Sequence, residues 1–145
     1  MEKVLFGTDV LLDFYFDRQP FSDYTAKALD LCKKRKIEGY TTPVIIANAY
    51  YLLRKDSKHE TVVDKLNQLL NLIDIVKVGR KGMIKSLNSK FRDFEDALQN
   101  FSAVKKREIE IILTKNIKDF KHSELAVLTP ETYLKGRKAS GYQRI

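Results

Sequence analysis

Two spacings of apolar residues alternate along this chain. Short unbroken runs, Val4-Leu5-Phe6, "DIVKVG", "EIEIILT" and "LAVLTP", suit strands, and "IEGYTTP" adds another. Val4-Leu5-Phe6 is apolar throughout, which suits a central strand of a parallel sheet covered on both faces. Between these runs the apolar positions recur at steps of three and four. Val10, Leu11, Phe14 and Tyr15 form one stripe, Ala26, Leu29 and Cys32 a second, and Phe94, Ala97, Leu98, Phe101 and Val104 a third. "PVIIANAYYLLRK" and "ETVVDKLNQLLNLI" are helical in the same way, and "RKGMIKSLNSKF" reads as a short helix and loop. Pro20 stops the first helix, and Pro43 sits at the first turn of a later one. Asp9 is placed to cap the first helix, and Ser22 or Asp23 the second. Strands and helices alternating in this way predict an α/β fold with a mostly parallel sheet and right-handed crossovers. Residues 1–135 make one domain on this reading, and "GRKASGYQRI", residues 136–145, is a basic and loosely ordered tail.

Charge adds a direction. The 145 residues carry 27 Lys and Arg against 19 Asp and Glu, a net charge of +8. Such an excess favours polyanionic partners through counterion release, nucleic acid foremost. The plainer reading is a solvated Lys-rich face. Lys105, Lys106, Arg107, Lys118 and Lys121 are the candidate RNA-binding cations, and Tyr40, Tyr50 and Tyr51 are candidates to stack on bases. Tyr50 and Tyr51 fall on an amphipathic helix, where core or interface packing is the commoner use. Cys32 is the lone cysteine, so no intrachain disulfide forms, which fits a reducing cytoplasm. It reads as a small buried apolar group. His59 and His122 stand in charged stretches, which argues against a zinc site or a Ser-His-Asp hydrolase. The first strand begins at Lys3, so no leader is expected before it, and no apolar run is long enough to cross a bilayer.

Function in open α/β sheets gathers at the carboxyl ends of the strands. Gly7, Thr8 and Asp9 follow the first strand there, and Asn48 lies on the helix after the second. Thr114, Lys115, Asn116 and Asp119 follow the fourth strand. Asp93 and Asp96, three residues apart, project from one side of the preceding helix. Carboxylates and amides converging in this way suit a hard divalent cation, and in a basic protein its use is phosphodiester chemistry. Structural roles compete with that reading. Asp9 and Asp93 are also natural helix caps, Asp119 a turn cap and Asn48 a core amide.

Four segments in order, "VLFGTDVLLDF", "GYTTPVIIANAYYLLRK", "DFEDALQNFSA" and "LTKNIKDF", resemble the PIN domain family, in particular the small VapC-type proteins of toxin–antitoxin systems. The likeness runs from about Lys3 to about Leu134. It implies a three-layer α/β/α sandwich on a five-stranded parallel sheet. It also implies an acidic pocket for Mg²⁺ or Mn²⁺ and cleavage of RNA to a 5′-phosphate and a 3′-hydroxyl. Against that pattern Thr8 and Asp9 match, but Gly7 takes the place of the first acid. Asn48 stands where many members have a glutamate, and Asn116 stands for an acid, with Asp119 the nearest substitute. Thr114 matches the preceding hydroxyl, Asp96 the central acid of its helix, and Asp93 its helper. The resemblance thus gives Asp96, Asp93, Asp119 and Asp9 as the catalytic set, the first three as metal ligands. Gly7, Thr8, Asn48, Thr114 and Asn116 support the pocket.

With fewer carboxylates than the pattern, weak metal binding and slow or absent hydrolysis are expected. The alternative is a non-catalytic module of the same fold that binds RNA or protein. A phospho-acceptor domain would need an aspartate ending the third strand, where this chain has Val78-Gly79. The surplus of apolar residues in "TPVIIANAYYLLRK" and "VVDKLNQLLNLI" predicts a homodimer or an antitoxin contact.

Overall fold

The computed structural model describes residues 1–105 and 108–143, and of residues 105 and 138–143 the backbone alone. Its strands are β1 (Lys3–Phe6), β2 (Glu38–Thr41), β3 (Ile73–Ile75), β4 (Ile109–Leu113) and β5 (Ala126–Leu128). Its helices are α1 (Thr8–Tyr15), α2 (Phe21–Lys33), α3 (Pro43–Leu53), α4 (His59–Leu70), α5 (Arg80–Leu87), α6 (Phe94–Lys105) and α7 (Pro130–Gln143), with a 3-10 turn at Ile117–Phe120. The strands form one sheet in the order β3-β2-β1-β4-β5, and every pairing is parallel.

The apolar run of β1 takes the middle of the sheet because it can be covered on both sides. Val4 and Phe6 pack with Val10, Leu11, Leu29 and Ile45 on one face. Leu5 packs with Ile109, Ile112, Ala103 and Phe120 on the other. A register shift between Lys3 and Val4 against β4 lets Ile111 and Leu113 join the first face while Ile109 and Ile112 join the second. A third apolar cluster, Leu12, Ala49, Leu53, Val62 and Leu66, joins α1, α3 and α4 to one another.

Local signals set the helix starts unevenly. Thr42 caps α3, its Oγ1 accepting from Ile45 N at 3.1 Å, with Pro43 in the first turn. Pro20 precedes α2, and neither Ser22 nor Asp23 caps it. Helix α7 runs on to Gln143, beyond residue 135 where composition alone would close the domain, and residues 144–145 lie outside the described residues. Its Tyr133 hydroxyl donates to Glu2 at 2.8 Å and so ties the last helix to the first strand. Among the described residues no helix is long and apolar enough to cross a membrane.

Strand β1 connects to β2 on one side of the sheet, whereas β4 lies on its other side. The topological switch point therefore lies between the carboxyl ends of β1 and β4, where such sheets leave a crevice.

Candidate functional site

Two loops meet at this crevice. Gly7 N donates to Leu113 O at 2.9 Å, and Thr114 N donates to Leu128 O at 3.0 Å, so both strand ends are pinned. Gly7 has φ −70° and ψ 162°, extended backbone that any residue adopts. The position therefore does not require glycine for its conformation. A Cβ there would lie 3.0 Å from Leu113 O, 3.1 Å from Asp9 Oδ1 and 3.2 Å from Gln99 Oε1. Asp9 and Gln99 have closed around the space where a side chain would stand.

Asp9 does not cap α1. Gly7 holds the cap position, and Asp9 lies inside the first turn. Its carboxylate turns to the β4 loop, accepting from Thr114 Oγ1 at 3.1 Å and from Lys115 N at 2.7 Å. These partners stabilise the anion in part, yet burial raises the Asp9 carboxyl above its ordinary value. Lys115 continues the network. Its Nζ lies 2.8 Å from Asp13 Oδ2 and 4.0 Å from the centre of the Phe21 ring. Asp13 is fully buried, with Arg18 Nη1 3.4 Å from its other oxygen.

The acid side of the crevice comes from the start of α6. Asp93 does cap this helix, its Oδ1 accepting from Asp96 N at 3.0 Å. Glu95 accepts from Thr8 Oγ1 at 2.5 Å and from Gln99 Nε2 at 3.3 Å. Asp96 is half-buried, and among the described residues its carboxylate has no hydrogen-bond or ion-pair partner. Burial foremost, then the carboxylates of Asp93, Asp119, Glu95 and Asp9, push its pKa up to about 7. Asp119 is exposed on the 3-10 turn, whose cap position is Asn116 and not Asp119.

The expected residues thus assemble in part. Thr8, Asp9, Thr114, Asp93, Asp96 and Asp119 converge, and Asn116 accompanies them, its N donating to Thr114 Oγ1 at 3.1 Å. Asn48 is half-buried on α3 and outside this hydrogen-bond network, so it is not a core amide. Lys118 and Lys121 are exposed. Lys106 and Arg107 lie outside the described residues, as does the side chain of Lys105. Tyr40 is buried, its hydroxyl donating to Glu38, and so is no stacking platform, whereas Tyr51 is 69% exposed. Cys32 is buried as expected, and burial pushes its thiol up to about 12.

Glu95, Gln99 and Asp13 escaped the sequence reading, which placed Lys115 in the loop after the fourth strand but gave it no role. An acid run at a helix start with Gln99 one turn on, and a second aspartate, Asp13, one turn after Asp9 in the apolar stretch "DVLLDF", were the available signals.

A divalent cation needs several oxygens at 2.0–2.6 Å. Among the described residues no three Asp, Glu, His or Cys side chains come together closely enough to hold one. Asp9, Glu95 and Asp93 are spent on hydrogen bonds, which leaves Asp96 and Asp119. The charge suits a cation, but the donor set does not fit a formed metal centre.

The sequence matches the model of the PIN domain over residues 3–118. Comparison with curated proteins gives no match. Among solved structures the chain is similar to VapBC2 from Rickettsia felis bound to a DNA fragment from its promoter, at 18% identity and a TM-score of 0.63, over 87% of this chain and 96% of that one. It is similar to VapBC-1 from nontypeable Haemophilus influenzae, at 10% identity and 0.65, over 89% and 98%. It is similar also to VapC20 of Mycobacterium tuberculosis, a Sarcin-Ricin loop cleaving toxin, at 12% and 0.61, over 81% and 95%. At these identities the likeness is one of fold, and it matches the five-stranded parallel sheet with helices on both sides.

Proposed function

Because this chain belongs to the PIN domain family, we propose that it is a ribonuclease-type member of the toxin–antitoxin kind in which phosphodiester cleavage is attenuated or lost. The observation that carries this reading is the acid field centred on Asp96 at the sheet's switch point. Asp96 is the central catalytic carboxylate, with Asp119, Asp93 and Asp9 in support. Gly7 supports the attenuation, because an acid is missing at the one place where β1 opens into the crevice. Mg²⁺ or Mn²⁺ is the cofactor such a site would take, and the committed state of Asp9, Asp93 and Glu95 supports weak binding.

RNA is the substrate class, in keeping with the net charge of +8. An antitoxin protein is the proposed partner, supported by fold neighbours that are VapBC complexes, and a homodimer is the proposed assembly. That no three metal-ligating side chains come together among the described residues favours a second reading, a module of this fold that binds RNA or protein without cutting.

The test is cleavage of a mixed RNA pool with Mn²⁺, comparing this chain with Gly7→Asp, each with and without Asp96→Asn. The expected result is little cutting by the chain itself and a gain on the order of ten- to a hundred-fold with Gly7→Asp, abolished by Asp96→Asn. If neither protein cuts while both bind RNA, the second reading replaces the first.

A further inference from the structure

A groove of about 580 Å³ opens between the α5–α6 connection and the 3-10 turn. Lys90 and Arg92 line one wall, Lys118 and Lys121 the other, with Phe91, His122 and Asp119 completing it. We propose that this groove binds single-stranded RNA, its four cations taking successive backbone phosphates and His122 offering a ring to a base. The proposal rests on the RNA-directed reading above and gives that reading a location.

Three observations carry it. All four cations are exposed, and among the described residues none is engaged in an ion pair, whereas Lys34, Lys115 and Lys135 each hold an acid. Four cations on two walls against the one carboxylate of Asp119 exceed what a single phosphate neutralises, and they suit a chain of phosphates running between them. The floor is aromatic and fixed. Phe91 meets Phe120, Phe101 and His122 edge-on, with ring centroids 5.7, 6.0 and 6.4 Å apart. A firm ring floor with an exposed imidazole at its edge is a stacking surface, which an acidic peptide would not use. The groove is also continuous with the acid centre, for Asp119 lines it and is one of the carboxylates that raise Asp96. A strand held on the cations therefore runs toward Asp96.

The experiment is fluorescence anisotropy of a labelled mixed-sequence single-stranded RNA without divalent ions, titrated over a salt series. The variants are Lys90→Gln with Arg92→Gln, Lys118→Gln with Lys121→Gln, and all four together. Lys33→Gln with Lys36→Gln, at the opposite end of the sheet, removes two exposed charges as a control. The expected result is at least about a tenfold loss of affinity for the fourfold variant. The slope of log affinity against log salt is expected to become shallower by about 0.7 per lost contact, with the control little changed. Equal losses from groove and control variants would overturn the proposal, as would equal binding of DNA of the same sequence or equal displacement by poly-glutamate. If the chain binds no RNA at low salt, the ribonuclease reading falls with the groove. If RNA is cut in an Asp96-dependent way but the groove variants bind unchanged, the groove alone falls.

Discussion

Gly7 and Asp96 stand at the crevice for opposite reasons, one through a side chain it lacks and one through the carboxylate it carries. Gly7 sits in backbone that any residue could adopt, so its effect is the missing side chain and the closure of Asp9 and Gln99 around the space. Asp9 and Gln99 present flexible side-chain ends, but the nearest contact is the backbone Leu113 O at 3.0 Å, so an acid enters there only if the end of β4 also gives by a few tenths of an ångström. Asp96 is the opposite case, a carboxylate present but surrounded by its own kind. Unfolded, its carboxyl ionises at its ordinary value of 3.8, whereas in the fold it keeps its proton to about 7. Between those pH values the folded state holds one proton more than the unfolded state. Stability from this group is therefore full at low pH and is lost as pH rises toward 7. Asp96→Asn removes the ionisation. The variant is expected to match the parent near pH 3, below both ionisations, and to melt higher at pH 8, by an order of a few degrees given a half-buried group. Thermal unfolding followed at the two pH values checks this, and a variant that melts lower at pH 8 would mean that Asp96 is held by a favourable partner.

At the scale of elements, α6 serves the site through its first turn. Asp93 does two things there, capping the helix through Asp96 N and adding charge beside the Asp96 carboxylate. Asparagine keeps the first and removes the second. Asp93→Ala is expected to cost about 1 kcal/mol, while Asp93→Asn costs a few tenths and lowers the pKa of Asp96. Chemical denaturation reads the first difference, and carboxyl titration by NMR the second. The helices and strands themselves were legible because their apolar spacing is local, and Pro43 announced the start of α3. The roles of single polar residues were not. Asp9 looks like a cap in sequence, but its donors are Thr114 and Lys115, more than a hundred residues away. Glu95 meets Thr8 across 87 residues, so its place in the crevice follows from the strand order alone. The cap weighed for Asp93 against a place in the acid pocket is present because capping is local.

For the whole molecule, packing redistributes the apolar surplus on which the expected homodimer rests. Ile45, Ala49, Leu53, Val62, Leu66 and Leu69 of α3 and α4 are buried, which leaves Tyr51 and Val63 at the surface. A larger apolar area lies on α5, where Met83, Ile84 and Leu87 are 37%, 45% and 66% exposed, beside Phe94 of α6 at 45%. Met83, Ile84 and Leu87 share one side of their helix, and apolar groups gathered in this way mark contact surfaces more often than scattered ones. Buried against a second copy, the α5 side would remove more apolar area from water than Tyr51 and Val63 together, so the proposed homodimer is expected to close through α5. Light scattering over a concentration series is expected to give twice the mass of one chain. Ile84→Glu with Leu87→Glu should reduce it to one, because two charges at a closed apolar contact cannot be hydrated. Tyr51→Glu should leave the mass unchanged. The reverse pattern would return the contact to α3 and α4, where the sequence placed it. A single-chain mass at every concentration, unchanged when the neighbouring gene product is added, would remove both the dimer and the antitoxin contact.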